Sequence, residues 1–345
     1  MDDAAVEVVM NDGIGVRKHR AIEVVDYDPA WPALFAEIRT GLEQLLVGLV
    51  HEIQHIGSTA VPDLCAKPKI DVDVVLRSTA AIPKAIERMR ATGDYIYHGD
   101  KYRDGMWAFT TGRGSPGQRL YLCAPGTATH LRRLLFRDHL RCHPEAATAY
   151  GALKRKLASE TADDWDYYTG GKSRFVAETV RQAAAERIES VASGRGRICR
   201  LILEDLPEWF GVPAAREAYI AAAEGLPMLA SIVPDGTALG FVTVKVLTAA
   251  AAEIHVMGVR REWHRCGIGR VLVEAANRFA AAQGCRYLTV KTLSPAKPDP
   301  AYEATRRFYH AVGFTPIDEL PTLWGPHDPC LLMLRPIQLV VSENG

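Results

Sequence analysis

The stretch VMGVRREWHRCGIGRVLVEAANRFAAAQG, residues 256–284, constrains the fold of this chain more than any other segment. An apolar strand ends at Val259, a short loop follows, and Gly267 opens a long amphipathic helix. Gly267 and Gly269 let backbone N–H groups approach a ligand closely, and the helix N-terminus contributes about half a positive charge. The segment therefore predicts a pyrophosphate site, with further donors at its sides: His264, Arg265 and Arg270.

The segments around this site alternate between strand and helix patterns. Apolar runs predict strands at 198–203, 227–233, 238–247, 252–259, 286–291, 313–317 and 329–335, and helical spacing predicts helices at 213–223, 268–283 and 301–312. The last helix, in the stretch EATRRFYHAVGFTPI, carries Tyr309 near its end and is followed by Gly313 and Phe314.

This order of elements resembles the GNAT superfamily of N-acetyltransferases over essentially all of 198–337. The helix motif of that family, Asn-x-x-Ala-x-x-x-Tyr, keeps only Tyr309, because Tyr302 and Thr305 stand at its Asn and Ala positions. The phosphate loop of that family reads Arg/Gln-x-x-Gly-x-Gly/Ala. In this chain the pattern falls on His264, Gly267 and Gly269, so a histidine stands at its first position.

The resemblance implies a mixed, mostly antiparallel sheet flanked by helices, with acetyl-CoA lying between strands 252–259 and 286–291. Tyr309 would protonate the departing thiolate as the general acid, and Glu253 is the candidate base, acting directly or through water. The residues expected to bind acetyl-CoA are Val256, Met257, Val259, His264, Arg265, Gly267, Ile268, Gly269 and Arg270.

The first half contains a second unusual stretch, HIGSTAVPDLCAKPKIDVDVVL, residues 55–76. It places Asp71 and Asp73 on one face of a strand that is otherwise apolar, although two like charges there repel each other and are costly to desolvate. Gly57 and Ser58 precede this strand. The local backbone and Ser58 could hold a triphosphate while the two aspartates hold Mg²⁺ against it.

These residues are similar to the GrpB-like family, a branch of the nucleotidyltransferase fold. The matching segments, spread over about 20–185, are HIGSTAVP, KPKIDVDV, LLFRDHLRCHPEA, YGALKRKLA and YYTGGKSRFV. The resemblance implies a mixed sheet followed by a helical part. Nucleotidyl transfer normally uses a third carboxylate on a neighbouring strand, but QRLYLCAP offers only Arg119, Tyr121 and Cys123. Two alternatives remain open, a weaker two-carboxylate Mg²⁺ site or a module that binds without catalysis.

The same half supplies many basic residues suited to phosphates. Those predicted to contact a nucleotide or phosphate, together with the Gly57–Ser58 loop, are Lys67, Lys69, Arg137, Arg141 and Lys172, and Lys154 belongs to the same basic set.

Composition excludes some partners. The chain has 41 basic and 41 acidic residues, so it lacks the basic excess that is typical of a nucleic-acid-binding protein. No apolar run is long enough for a membrane span. The seven cysteines are scattered without a C-x-x-C pair, which favours reduced thiols and a cytoplasmic location.

The sequence thus predicts two α/β (α+β) domains. The expected divisions are a tail at 1–19, a GrpB-like domain at 20–190, a linker at 191–197, a GNAT domain at 198–338 and a tail at 339–345. The linker is expected where a helical pattern runs out into Ser-Gly-Arg-Gly-Arg.

We expect acetyl transfer from acetyl-CoA to an amine of a small molecule, and a homodimer is compatible with the sequence. In one alternative, the first half transfers a nucleotidyl group from a Mg-nucleoside triphosphate and the second half senses CoA. In another, both halves modify one acceptor, such as an amino-bearing antibiotic. Protein N-acetylation is less favoured, because no docking segment is evident.

Overall fold

The structure of the protein is a computed structural model that describes residues 22–111, 116–160, 164–233, 235–325 and 327–337. The chain divides into two compact units between Ala183 and Ala184. Both predicted tails, 1–19 and 339–345, lie outside the described residues. Among the helices in the described ranges, none combines the length and the apolar composition needed to cross a bilayer.

The first unit contains a five-stranded mixed sheet in the order β1-β2-β5-β4-β3. Only β2 and β5 are parallel among its described strand pairs. Three helices then follow in succession, which agrees with the predicted mixed sheet and helical part. In chain order the elements are α1 Trp31–Leu45, β1 Val50–Ile56, β2 Lys69–Leu76, α2 Ile82–Ala91, β3 Tyr95–Gly99, β4 Trp107–Thr111, β5 Gly117–Cys123, α3 Ala128–Cys142, α4 Pro144–Glu160 and α5 Trp165–Ala185.

Strand β2 is buried on one face by apolar packing. Ile70, Val72, Val74 and Leu76 are fully buried in a core that includes residues of α1 and α2. Because side chains alternate along a strand, the intervening Asp71 and Asp73 point to the opposite face of the sheet. The two aspartates therefore share one face, as predicted.

The second unit contains a seven-stranded sheet in the order β11-β12-β10-β9-β8-β7-β6. Its described pairs are antiparallel except for β9 with β10, which confirms the predicted mixed, mostly antiparallel GNAT sheet. Its elements are β6 Ile188–Ser190, α6 Arg195–Leu203, α7 Pro207–Phe210, α8 Pro213–Gly225, β7 Met228–Ile232, β8 Ala238–Thr248, β9 Ala251–Val259, α9 Ile268–Ala282, β10 Tyr287–Leu293, α10 Pro300–Ala311, β11 Thr315–Leu320 and β12 Cys330–Pro336.

One predicted element has the wrong type. The run 198–203 was predicted to be a strand and instead belongs to helix α6. Its buried residues Cys199, Ile202 and Leu203 recur at helical spacing, and a short apolar run does not distinguish the two structures by itself. Helix α6 also begins inside the segment 191–197 that was predicted as a linker, and β6 pairs with β7 in the second unit.

Candidate active site

The two central strands of the second sheet part from each other along their length. The parallel pairing of β9 with β10 runs from Ala251 opposite Tyr287 to Ile254 opposite Val290, while β9 continues beyond this point and stays paired with β8. The opening leads into a cavity of about 1140 Å³, called here the β9–β10 cavity. Three of the residues predicted to contact acetyl-CoA from the strand line it: Val256, Met257 and Val259.

The loop between β9 and α9 adopts a backbone that requires glycine at one position. Gly267, directly before α9, has a φ of 82°, in the left-handed region that side chains disfavour. Because the first N–H groups of a helix have no partner within it, this end of α9 offers donors to an anion. All the predicted loop residues line the β9–β10 cavity: His264, Arg265, Gly267, Ile268, Gly269 and Arg270.

Two of these loop residues also have structural contacts that the sequence did not predict. A Cβ atom at Gly269 would lie 3.2 Å from the Phe308 ring, so a side chain there would push against α10. His264 Nε2 donates a hydrogen bond to the carbonyl of Val259 at 2.8 Å. Its ring therefore ties the loop to the end of β9.

Tyr309 of α10 is 6% exposed and lines the β9–β10 cavity. Burial raises the pKa of its phenol well above the ordinary value, and the nearby Tyr302 and Tyr219 act in the same direction. The group is therefore held protonated at physiological pH. A protonated phenol beside the cavity can donate a proton to a ligand, as the general acid predicted at this position must do.

Trp209 of α7 is a cavity residue that the sequence did not reveal. Its indole Nε1 donates to Thr305 Oγ1 at 2.9 Å, and its carbonyl accepts a hydrogen bond from the Tyr302 hydroxyl at 2.9 Å. Tyr302 and Thr305 are the two residues that depart from the family's helix motif. Both of these α10 residues are therefore hydrogen-bonded to the same tryptophan of α7.

Glu253 is 6% exposed and does not itself belong to the described lining of the β9–β10 cavity. It forms an ion pair with Lys291 of β10, and its Oε1 lies 3.8 Å from His255 Nδ1. Burial raises the pKa of its carboxyl, but the nearby His255 and the hydrogen-bonded ammonium of Lys291 outweigh burial and leave the pKa below its ordinary value. His255 and Lys291 line the cavity, and a sequence signal for His255 existed: it lies two residues after Glu253, on the same strand face.

In the first unit, Asp73 is fully buried and both of its carboxylate oxygens accept hydrogen bonds from side chains. His130 Nδ1 donates to Oδ2 at 2.8 Å, and Arg133 Nη1 donates to Oδ1 at 2.7 Å. The guanidinium of Arg133 also stacks on the Tyr121 ring, 3.9 Å from its centroid. Asp73 thus joins β2 to α3 within the protein interior.

Asp71 is more exposed than Asp73 but is also crowded. Arg119, its register partner on β5, lies 3.9 Å from its Oδ1. Gly57 has a φ of 75°, and a Cβ atom there would lie 2.6 Å from Asp71 Oδ2. Glycine is therefore required at position 57 for two reasons, the backbone conformation and the close approach to this carboxylate.

Tyrosines and lysines from three segments meet near the Gly57–Ser58 loop. The Tyr150 hydroxyl is hydrogen-bonded to the Ser58 side chain, and the charge of Asp71 acts on the same tyrosine. Lys154, one helical turn later on α4, lies 4.8 Å from the Tyr150 ring. We call the following residues the lysine–tyrosine cluster: Ser58, Lys67, Tyr150, Lys154, Tyr168 and Lys172.

The remaining predicted phosphate residues of this unit lie elsewhere. Lys69 and Arg119 lie near His98, whose pKa is lowered by burial and then by these two charges. Arg137 donates to the carbonyl of His55 at 2.8 Å, and Arg141 donates to the carbonyl of Ala60 at 2.8 Å. The two arginines line a separate cavity of about 1150 Å³ that none of the predicted lysines lines.

Comparison with known proteins finds a family that matches part of each unit. Residues 21–182 match the family described as GrpB protein, and residues 196–314 match the Acetyltransferase (GNAT) family. The chain is 30% identical over 187 residues to the UPF0157 protein BH1888 of Halalkalibacterium halodurans, which covers 53% of this chain and 92% of that protein. It is 33% identical over 157 residues to the UPF0157 protein YqkA of Bacillus subtilis, and this match spans 46% of each chain.

Among solved structures, the conserved protein GrpB from Enterococcus faecalis is 32% identical to this chain. The match covers 47% of this chain and 96% of that one, with a TM-score of 0.43.

Proposed function

Because the chain belongs to the GrpB protein family through residues 21–182 and carries a GNAT acetyltransferase domain at residues 196–314, we propose that it transfers an acetyl group from acetyl-CoA to the amine of a small molecule. The observation that carries the proposal is the β9–β10 cavity. One cavity joins the glycine loop at the start of α9, the unpaired edge of β9 and the buried Tyr309.

Acetyl-CoA would supply the acetyl group as a reactive thioester. The N–H groups at the start of α9 and the side chains of Arg265 and Arg270 would bind the pyrophosphate. The backbone of Val256–Val259 on the edge facing β10 would pair with the pantetheine arm, since β10 no longer occupies that edge there. Tyr309 would donate its proton to the leaving sulfur.

The acceptor amine must lose a proton before it attacks. We assign this step to the Glu253–His255 pair. Glu253, with its lowered pKa and its ion pair to Lys291, is a weak base by itself, whereas His255 lines the cavity and can accept a proton there. Glu253 would orient the imidazole and stabilise its charged form across the 3.8 Å separation.

The proposal is tested by calorimetric titration of the full chain with CoA. Gly267→Val places a side chain at the start of α9 and should lower CoA affinity by at least about tenfold, the loss of one good anion contact. Gly284→Val is the matched control, because Gly284 follows the other end of α9 with a similar φ of 80° and has open space around its Cα. Both variants carry similar backbone strain. Equal CoA affinity in the two variants would refute the placement of the pyrophosphate.

The acceptor is then sought by measuring thiol release from acetyl-CoA with a panel of small-molecule amines. Release that depends on an amine and on Tyr309 supports acetyl transfer. CoA binding without release for any amine, including amino-bearing antibiotics, would favour a CoA-sensing role instead.

A further inference from the structure

We propose that the first half of the chain binds a phosphate-bearing anion at the lysine–tyrosine cluster without a divalent cation, and that it is a binding module and not a nucleotidyltransferase. The inference is independent of the acetyl transfer proposed for the second half. It rests on two observations, the state of the two aspartates and the environment of the buried Lys154.

The aspartates do not fit the magnesium site that the fold implies. Mg²⁺ needs near-octahedral oxygen ligands at short distances, and two carboxylates with free lone pairs would have to face it. Both oxygens of Asp73 already accept charged or polar donors, His130 and Arg133, in a fully buried position. A metal ion between the aspartates would also face the guanidinium groups of Arg119 and Arg133, which repel a cation.

Lys154 is buried in surroundings that favour an anion. The residue is 2% exposed, and its ammonium donates a hydrogen bond to the carbonyl of Cys65, although an ammonium has three N–H donors. The groups that face it are the Cys65 thiol, the Tyr150 ring, Lys172 and Arg155. Burial first, and then the charges of Lys172 and Arg155, lower the pKa of Lys154 to about 7. An anion at this point would compensate the buried charge.

Two further lysines lie at Tyr168, and the charge of one of them, Lys172, acts on Lys154. Lys67 and Lys172 lie over the ring of the buried Tyr168, with their Nζ atoms 4.6 Å and 4.1 Å from its centroid. The aromatic face stabilises each ammonium, but two like charges on one ring repel each other. A phosphate group presents several anionic oxygens, which match three ammonium groups and the Ser58 hydroxyl. The lysines therefore supply the positive charge that a metal supplies in a nucleotidyltransferase.

The test is calorimetric titration of the full chain with inorganic pyrophosphate and, separately, with ATP, in EDTA and in MgCl₂. We expect binding in EDTA. At pH 8 the free Lys154 is mostly neutral, and a bound anion raises its pKa, so binding should take up protons from the buffer. At pH 6 Lys154 is already charged, so its contribution to the uptake should vanish, and the protons exchanged by the phosphate groups of the probe are subtracted by the same titration of Lys154→Met. The number of protons follows from repeating the titration in buffers of different ionisation enthalpy.

Variants then locate the site. Lys154→Met should abolish the proton uptake at pH 8, and Lys172→Gln should weaken binding by about tenfold, the effect of one charge-assisted contact. The matched control is Lys84→Met on the exposed face of α2, which should leave both quantities unchanged. CoA titration of every variant verifies that the second unit is intact. Tighter binding of ATP than of pyrophosphate would identify a nucleotide as the source of the phosphate.

The proposal is overturned if neither probe binds in EDTA, or if binding requires MgCl₂ and is lost in Asp71→Asn. Release of pyrophosphate from ATP that depends on Asp71 would also overturn it, because the first half would then be a nucleotidyltransferase. Failure of CoA binding would instead contradict the acetyl-transfer proposal and leave this one intact.

Discussion

A similar sequence signal, a glycine before a helical segment, has different structural consequences in the two units. Each contains a glycine with positive φ directly before a helical turn, Gly267 in the second unit and Gly57 in the first. Gly267 opens a helix of fifteen residues beside a cavity, so the backbone itself presents donors. Gly57 precedes only the three-residue turn Ser58–Ala60, and its backbone packs against Asp71. In the first unit any anion must therefore be bound by side chains.

The two units also differ in the surroundings of their buried polar side chains. Asp73 in the first unit is buried with both oxygens satisfied, which makes it a structural residue. Tyr309 in the second unit is also buried, with 6% of its surface exposed, but it lies against a cavity, where its proton can reach a ligand. Three predictions test this contrast.

The largest expected effect is on stability in the first unit. Asp73→Asn removes the buried carboxylate charge that accepts from His130 and from the partly exposed guanidinium of Arg133, and it should lower the free energy of unfolding by about 3 kcal/mol. Asp71→Asn should cost much less, because that carboxylate is partly exposed and lies 3.9 Å from Arg119. Urea denaturation of both variants measures the difference. Similar stability of the two variants would show that Asp73 is not the structural residue described here.

A smaller effect, confined to catalysis, is expected in the second unit. Tyr309→Phe should lower turnover by about a hundredfold and leave acetyl-CoA affinity unchanged, because a proton donor acts in the transition state. Tyr287→Phe, on an exposed residue at the start of β10, is the control. If Tyr309→Phe turns over at the wild-type rate, the tyrosine is only a packed aromatic residue.

The smallest expected effect is the tenfold difference in turnover between variants of the two members of the Glu253–His255 pair. His255→Gln should reduce turnover by about a hundredfold, as for loss of a general base. Glu253→Gln should reduce it by about tenfold, because it removes one charged contact to the imidazole and leaves the base in place. The rate of thiol release, measured against pH with a reactive amine, gives both values. A larger loss for Glu253→Gln than for His255→Gln would assign the base to Glu253 itself.

Much of the second unit could be predicted because its signals are local. The strand–loop–helix of residues 256–284 and the helix that carries Tyr309 depend on periodicity and on glycine conformation, which neighbouring residues fix. The prediction of a strand at 198–203 was wrong, because a short apolar run is compatible with both the strand period and the helix period. Trp209 was missed because it meets Thr305 and Tyr302 only through folding, across 96 and 93 residues of sequence.

The sequence by itself determined that the chain has two α/β units, that residues 264–270 span a loop and a helix start suited to an anion, and that Asp71 and Asp73 share a strand face. These properties follow from short-range backbone geometry. Only the tertiary structure decided what the aspartates contact, because His130 and Arg133 come from α3, 57 and 60 residues along the chain from Asp73. A carboxylate binds a metal or stabilises a fold according to the charge placed against it, and folding sets that charge.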